Sequence, residues 1–296
     1  MKILKNLLLL SLPFLLSNCE EEIPLDKLDP YTEKLVVNEY FSNGEPFSIE
    51  ISGSKYAYKE GNPLVLDSAK LSVVLTEDNV PLKLLYDQIL DVFYTANNPL
   101  PGKVYNLSVK SFGYPDISAT GKLPQSIANK SSVCIFDGGK DMQGNVSDLL
   151  KLTFTDDGNS KDHYKINFFY YNESSGKFTA FDFELKDILT AVNTIKSIDG
   201  GFLFSDESFS GQQKVITAVP PMGFVSSNKT YKYLIKIERL SEEYWKYRTT
   251  LEQYRGGLNG GITSTNLFRG AVVVYSNVTN GLGIFAGANI QSDTIK

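Results

Sequence analysis

Apolar side chains recur at every second position in short runs along the first part of the chain, and this period-two pattern restricts the fold more than any other feature. Phe47, Ile49 and Ile51 alternate with Ser48 and Glu50, and Leu71, Val73 and Leu75 repeat the spacing. Such spacing puts the apolar groups on one face of a strand and leaves the other wet. Further β-type runs occupy 35–37, 91–94, 104–109 and 117–120. Between them stand Asn43 with Gly44, Asp78 with Asn79, Pro101 with Gly102, and Phe112 with Gly113, residue types that accept turn dihedrals. Strands at roughly ten-residue spacing over 34–124 predict an antiparallel sandwich of immunoglobulin or transthyretin type. Pro124 and the polar stretch to Ser132 mark a boundary.

The second segment, 133–296, predicts a larger β-domain with longer, more aromatic strands at 150–154, 164–171, 178–185, 213–219, 231–238 and 271–275. One helix is expected over 242–255. Ser241 caps its free amides, Glu242 and Glu243 suit the positive end of the helix dipole, and Gly256 with Gly257 is expected to end it. Leu240 and Trp245 stand at the two positions of a hydrophobic staple, which predicts Trp245 between helix and sheet. A second short helix is expected near 185–194. The fold class is therefore mainly β, with two antiparallel sandwich-like domains and one packed helix in the second.

Aromatics make up 12% of the chain and concentrate in this segment. The run Phe168, Phe169, Tyr170 and Tyr171 needs cover on both faces of its strand, which the helix and an opposing sheet would supply. Phe202, Phe204 and Phe209 lie among Gly200, Gly201 and a serine-rich stretch, and that setting makes them candidates for an exposed loop that docks a partner or ligand.

The N-terminus carries Lys2 and Lys5, a short apolar run from Leu7, and then Leu16, Ser17, Asn18 and Cys19. An apolar segment of about ten residues is too short to span hydrocarbon, which needs about twenty, so 1–18 reads as a removable lipoprotein signal. Cys19 is the expected acylation site, and its acyl chains would tether a globular protein to the membrane. Glu20, Glu21 and Glu22 follow, and 19–33 reads as an acidic extended tether that spans up to about 50 Å.

The formal net charge is −5 with no basic cluster, which argues against nucleic acid as a partner. With Cys19 acylated, Cys134 stands alone in an apolar run and reads as a buried inert thiol. His163 is the only histidine, so a His-rich metal site is excluded, and without a nucleophile elbow it reads as a polar residue at a strand start. The loop from Asp156 to Asp162 offers several oxygens, but it lacks the ligand spacing and distal Glu of a calcium-hand loop, and Lys161 opposes a cation. It reads as a plain turn. The glycines at 281, 283 and 287 do not form a dinucleotide fingerprint, and no metal, cofactor or catalytic residue is expected.

Four segments in order resemble one family: Glu33-Lys34-Leu35-Val36-Val37 followed by Asn43-Gly44-Glu45-Pro46; the run from Lys103 to Val109 leading to Leu123-Pro124; Leu240 to Tyr247; and Ser276 to Phe285. Together they look like a Bacteroidota lipoprotein family named as domain of unknown function, family 4249. The acidic triplet likewise resembles the export signal that sends such lipoproteins to the cell surface. The resemblance implies an outer-membrane protein, often encoded near TonB-energised transporters, with no established catalytic residues. The expected function is a non-catalytic accessory lipoprotein that captures ligand or assists assembly beside a TonB-dependent transporter. The alternatives are a surface adhesin or structural sandwich protein and, further off, a glycan or peptide hydrolase.

Overall fold

The structure, a computed structural model, describes residues 32–55, 66–180, 182–186, 194–220, 233–259 and 272–295. The signal segment, Cys19, Glu20, Glu21, Glu22 and most of the tether lie outside the described residues. So does most of the second helix expected near 185–194.

The first half forms β1 (Leu35–Ser42), β2 (Ser48–Gly53), β3 (Leu71–Glu77), β4 (Val80–Pro81), β5 (Leu85–Asp87), β6 (Val92–Tyr94), β7 (Val104–Ser111) and β8 (Ile117–Lys122). There follow β9 (Ala128–Lys140), β10 (Val146–Thr155), β11 (His163–Asn172), β12 (Lys177–Ala180), β13 (Glu184–Leu185), β14 (Ile195–Lys196), β15 (Phe202–Ser205), β16 (Gln213–Val219) and β17 (Tyr233–Leu240). Helix α1 (Glu242–Asn259) and β18 (Leu282–Ile295) complete the order. The fold is mainly β and sandwich-like, with α1 the one α-helix among the described residues.

Turn chemistry works as the sequence requires. Asp78 and Asn79 take positive φ (46° and 70°) and join Glu77 to Val80 in a tight hairpin. Ser241 Oγ accepts a hydrogen bond from the Tyr244 amide at 3.2 Å and so caps α1. The helix does not stop at Gly256 and Gly257 as expected but runs on to Asn259.

A ten-stranded sheet runs in the order β14-β15-β11-β17-β18-β1-β2-β6-β5, with β12 attached to β11. Two four-stranded sheets, β13-β16-β10-β9 and β4-β3-β7-β8, accompany it. Alternation along β18 shows how they stack. Phe285 enters one core with Leu35, Val37, Leu107 and Val109, which places the β3-β7 sheet over β1 and β2. Asp293 and Gln291 pair in register with Ile235 and Ile237, which enter a second core with Leu152, Phe154 and Ile216 from the β10-β16 sheet. Residues 285, 291 and 293 share one side of β18, so both smaller sheets cover the same face of the large one. The connection after β8 follows that face: Asn289 donates to the Pro124 carbonyl, the Ile127 amide donates to Gln291, and Lys130 and Ser132 both bond Asp293.

The opposite side of β18 presents Ile284, Ala286 and Ala288, which form a small core with Leu203, Leu240 and Tyr244 under α1. Tyr244 also stacks on Tyr40 at 4.4 Å. Each leucine or isoleucine side chain buried here contributes about 1.5–3 kcal/mol from water exclusion.

Strand β18 was not legible in the sequence. Its glycines and alanines argue against a strand by propensity, and the expected strand at 271–275 is irregular over its described part. The structure supplies the reason. β18 pairs in parallel with β1, Val37 opposite Gly283, and a Cβ on Gly283 would sit 1.9 Å from the Val37 carbonyl oxygen. This pairing is parallel, whereas the strands in each segment were expected to be antiparallel, because the first and last strands of the unit lie side by side in the same direction. Small residues permit the approach.

Glu39 interrupts the apolar side of β1. It shares a face with Val37 and Phe41 and is 4% exposed, with Oε1 accepting from the Ser48 amide at 3.2 Å. Burial pushes its carboxyl up to about 7, while the Ser48 bond acts in the opposite sense. Since the folded pKa exceeds the unfolded value of 4.5, this group's stabilisation is complete below pH 4.5 and is lost as pH rises through 7. Glu39 is expected to lower stability by about 3 kcal/mol between pH 4.5 and 8. Glu39→Gln should flatten that slope in urea titrations, and a variant that kept the parental slope would assign it to other groups.

Candidate functional site

The α1 side of the large sheet carries charged residues that an aromatic strand would not announce. In β11, Tyr164, Ile166 and Phe168 point into the core, whereas His163, Lys165 and Asn167 face the helix side and are also buried. Lys165 is ion-paired with Asp199, which sits in the turn between β14 and β15. Arg248 of α1 donates to Ser197 Oγ at 2.6 Å, to Glu252 at 3.0 Å and to Asp199 at 3.4 Å. Glu252 in turn accepts from Ser197 Oγ and from the Ile198 amide. These bonds clamp the β14–β15 turn to the helix. Burial alone would raise the Asp199 pKa, but the hydrogen bond and charge of Lys165, together with Arg248, hold it well below the usual carboxylate range.

Beside this clamp lies an open cleft of about 600 Å³, bordered by Lys196, Ile198, Asp199, Glu252 and Arg255. Ile198 is 57% exposed. Arg255 is exposed, and Lys196 pairs with Asp182. None of these residues stood out in the sequence. Lys165 carried the only signal, as a lone charge between Tyr164 and Ile166 in a strand otherwise rich in large apolar groups.

His163 opens β11, as expected of a polar residue at a strand start, but it is buried. It is 2% exposed, its Nε2 lies 2.7 Å from Glu242, and its ring stacks on Trp245 at 4.5 Å with the planes 1° apart. Burial lowers its pKa, opposed by the Glu242 bond. Trp245 is half-buried, and the deepest ring on the helix is that of Tyr244.

The exposed aromatic loop expected at Phe202, Phe204 and Phe209 is corrected by the structure. Phe202 and Phe204 belong to β15, which pairs with both β14 and β11 and so is not a free edge. Both rings enter the main core, Leu203 points to the α1 side, and Phe209 packs into the same core from the turn after β15. Phe204 and Phe209 are 2% and 4% exposed. The flanking glycines and serines supply the turns on either side, and the apolar residues between them close the end of the sandwich.

The loop joining β10 to β11 also folds inward at both ends. Asp156 Oδ1 accepts from the Tyr164 hydroxyl, and its Oδ2 accepts from the amides of Gly158 and Gly211 at 3.1 and 2.8 Å. Arg239 Nη2 bridges Asp162 at 2.5 Å and Asp157 at 2.7 Å. Burial raises the Asp162 pKa, against the pull of Arg239. Cys134 is partly buried, and burial pushes its thiol up to about 12, so it carries little thiolate at neutral pH. Among the described residues no helix is long and apolar enough to cross a membrane.

Sandwiched sheets, with one α-helix among the described residues and an open cleft at its edge, define a mainly-β protein. The chain belongs to the family described as Domain of unknown function (DUF4249), whose model matches residues 20–294. No curated protein matches it. Among solved structures, one similar chain is described as "Complete structure of manganese lipoxygenase of Gaeumannomyces graminis and partial structure of zonadhesin of Komagataella pastoris". It is 8% identical, with 71% of this chain and 89% of that chain covered, and the TM-score of 0.21 is too low to carry any argument.

Proposed function

We propose that the chain is a lipid-anchored, non-catalytic lipoprotein of the Bacteroidota outer membrane, displayed at the cell surface, where it captures ligand or assists assembly beside a TonB-dependent transporter. The cleft beside α1 carries the reading on the structural side. Its walls are fixed in advance by the Lys165–Asp199–Arg248–Glu252 pairs, so little ordering cost remains on binding. Its carboxylates are already committed to cations and amides, and an acid held ionised by two cations is a poor proton donor. That arrangement suits recognition better than hydrolysis. Ile198 and Arg255, both exposed, offer an apolar and a cationic contact at the rim.

The anchor and the surface location rest on the lipoprotein signal ending at Cys19 and on the acidic triplet behind it. The test is a pull-down from detergent-solubilised outer membrane, read by mass spectrometry, with metabolic labelling by an acyl analogue. The parent chain should incorporate label, lose it on Cys19→Ala, and recover a transporter. Ile198→Asp combined with Arg255→Glu should weaken that recovery by about 2 kcal/mol or more with an unchanged melting temperature, as loss of an interface anchor does. Recovery of no transporter by the acylated parent would favour an adhesin or structural role.

A further inference from the structure

Three aspartates from separate parts of the chain converge beneath the surface. Asp156 follows β10, Asp162 precedes β11 and Asp206 follows β15, and each offers a carboxylate oxygen within 4.8 Å of the others. All three are buried, Asp206 to 2% exposure. The loop from Asp156 to Asp162 reads alone as a turn; Asp206, contributed from elsewhere in the chain, changes the chemistry. Its Oδ2 is sealed from solvent and accepts no hydrogen bond. A buried anionic oxygen without a donor needs another source of positive charge.

The surroundings do not supply enough. Arg239 is shared between Asp162 and Asp157. Lys161, which in sequence opposes a cation here, directs its Nζ to Glu207 at 2.9 Å, and both side chains are largely exposed. His163 turns its Nε2 to Glu242. With Asp157 drawing on the same guanidinium, one Arg239 faces four carboxylates, and the acidic excess calls for a cation.

We infer that Asp156, Asp162 and Asp206 together hold a calcium ion. Oxygen-only donors select a hard cation, and two oxygens on one calcium are at most about 5 Å apart, twice the ligand distance, so the spacing is admissible. Calcium accepts irregular carboxylate geometry, whereas magnesium demands a near-octahedral shell that keeps several waters. The Asp156 carboxylate is already oriented by Tyr164 and by the amides of Gly158 and Gly211, so part of the site is preset. The ion would tie the β10–β11 loop to the end of β15, next to Phe209 in the core.

Equilibrium dialysis of the EDTA-stripped full chain against calcium chloride tests the assignment, with thermal melts in EDTA and in 1 mM calcium as a second readout. One calcium per chain and a higher melting temperature with calcium are expected. Asp206→Asn should bind at least ten-fold more weakly, yet melt in EDTA no lower than the parent, since the Oδ2 it replaces accepts no hydrogen bond. No binding at 1 mM calcium, undiminished binding by Asp206→Asn, or equal competition by magnesium would each overturn the assignment. A large drop in the melting temperature of Asp206→Asn in EDTA would also overturn it, because it would show the carboxylate to be a structural acceptor.

Discussion

Replacing Phe202, Phe204 and Phe209 together by serine is expected to leave the chain unfolded at 25 °C. Removing one buried phenylalanine costs about 3–5 kcal/mol, and a domain has only about 5–15 kcal/mol to lose. The three rings are not independent. Phe204 and Phe209 lie 6.2 Å apart by ring centroid, Phe204 stacks on Tyr164 at 5.6 Å, and Phe209 meets Phe154 edge-on at 5.9 Å. Coupled neighbours do not add simply, so the triple change need not equal three single ones. Phe204→Ala alone, at about 3–5 kcal/mol, should still fold and allow measurement. Circular dichroism melts of the single and triple variants decide the point. A triple variant that melted with the parent would put these rings outside the core.

Gly283→Ala is expected to cost about 3–5 kcal/mol, by overpacking together with backbone strain. Gly283 has φ +103°, and its Cβ would fall 1.9 Å from the Val37 carbonyl oxygen, a backbone atom that cannot rotate away. Relief requires β18 to move off β1, and that pair is where the N-terminal strands join the rest of the large sheet. Gly113→Ala is the control. Gly113 also has a positive φ, +86°, but open space around its Cβ, so only the dihedral strain of about 1–2 kcal/mol applies. Urea midpoints of the two variants separate collision from strain, and equal losses would mean that the β1–β18 contact yields easily.

The legible parts of this fold are those whose cause is local. Alternation in Phe47, Ile49 and Ile51 fixes which side of β2 is buried whatever lies opposite. Ser241 needs only the amide three residues on to cap α1, and Asp78 with Asn79 needs only its own dihedrals to turn β3 into β4. The aromatic strand at β11 called for cover on both faces; the β10-β16 sheet covers Ile166 and Phe168, whereas on the other side Trp245 of α1 stacks on His163 and Phe169 and Tyr171 stay only partly buried. The lipoprotein signal proposed for 1–18 is likewise a local pattern.

What tertiary structure decided depends on residues distant in the chain. The glycines and alanines of β18 are poor strand formers alone and become one because β1 stands at close approach. Phe202 and Phe204 carry loop-like flanks, yet β11 and β14 pair with the strand between them and commit the rings to the core. Asp206 is unremarkable beside Ser205, and Asp199 beside Gly200, until the sheet order brings the first to Asp156 and Asp162 and the second to Lys165 and Arg248. Sequence by itself determined the strand faces and the helix start, because each follows from neighbours a few residues away. Pairing partners, buried charges and the cleft were decided only when long-range burial and sheet register set which groups must meet.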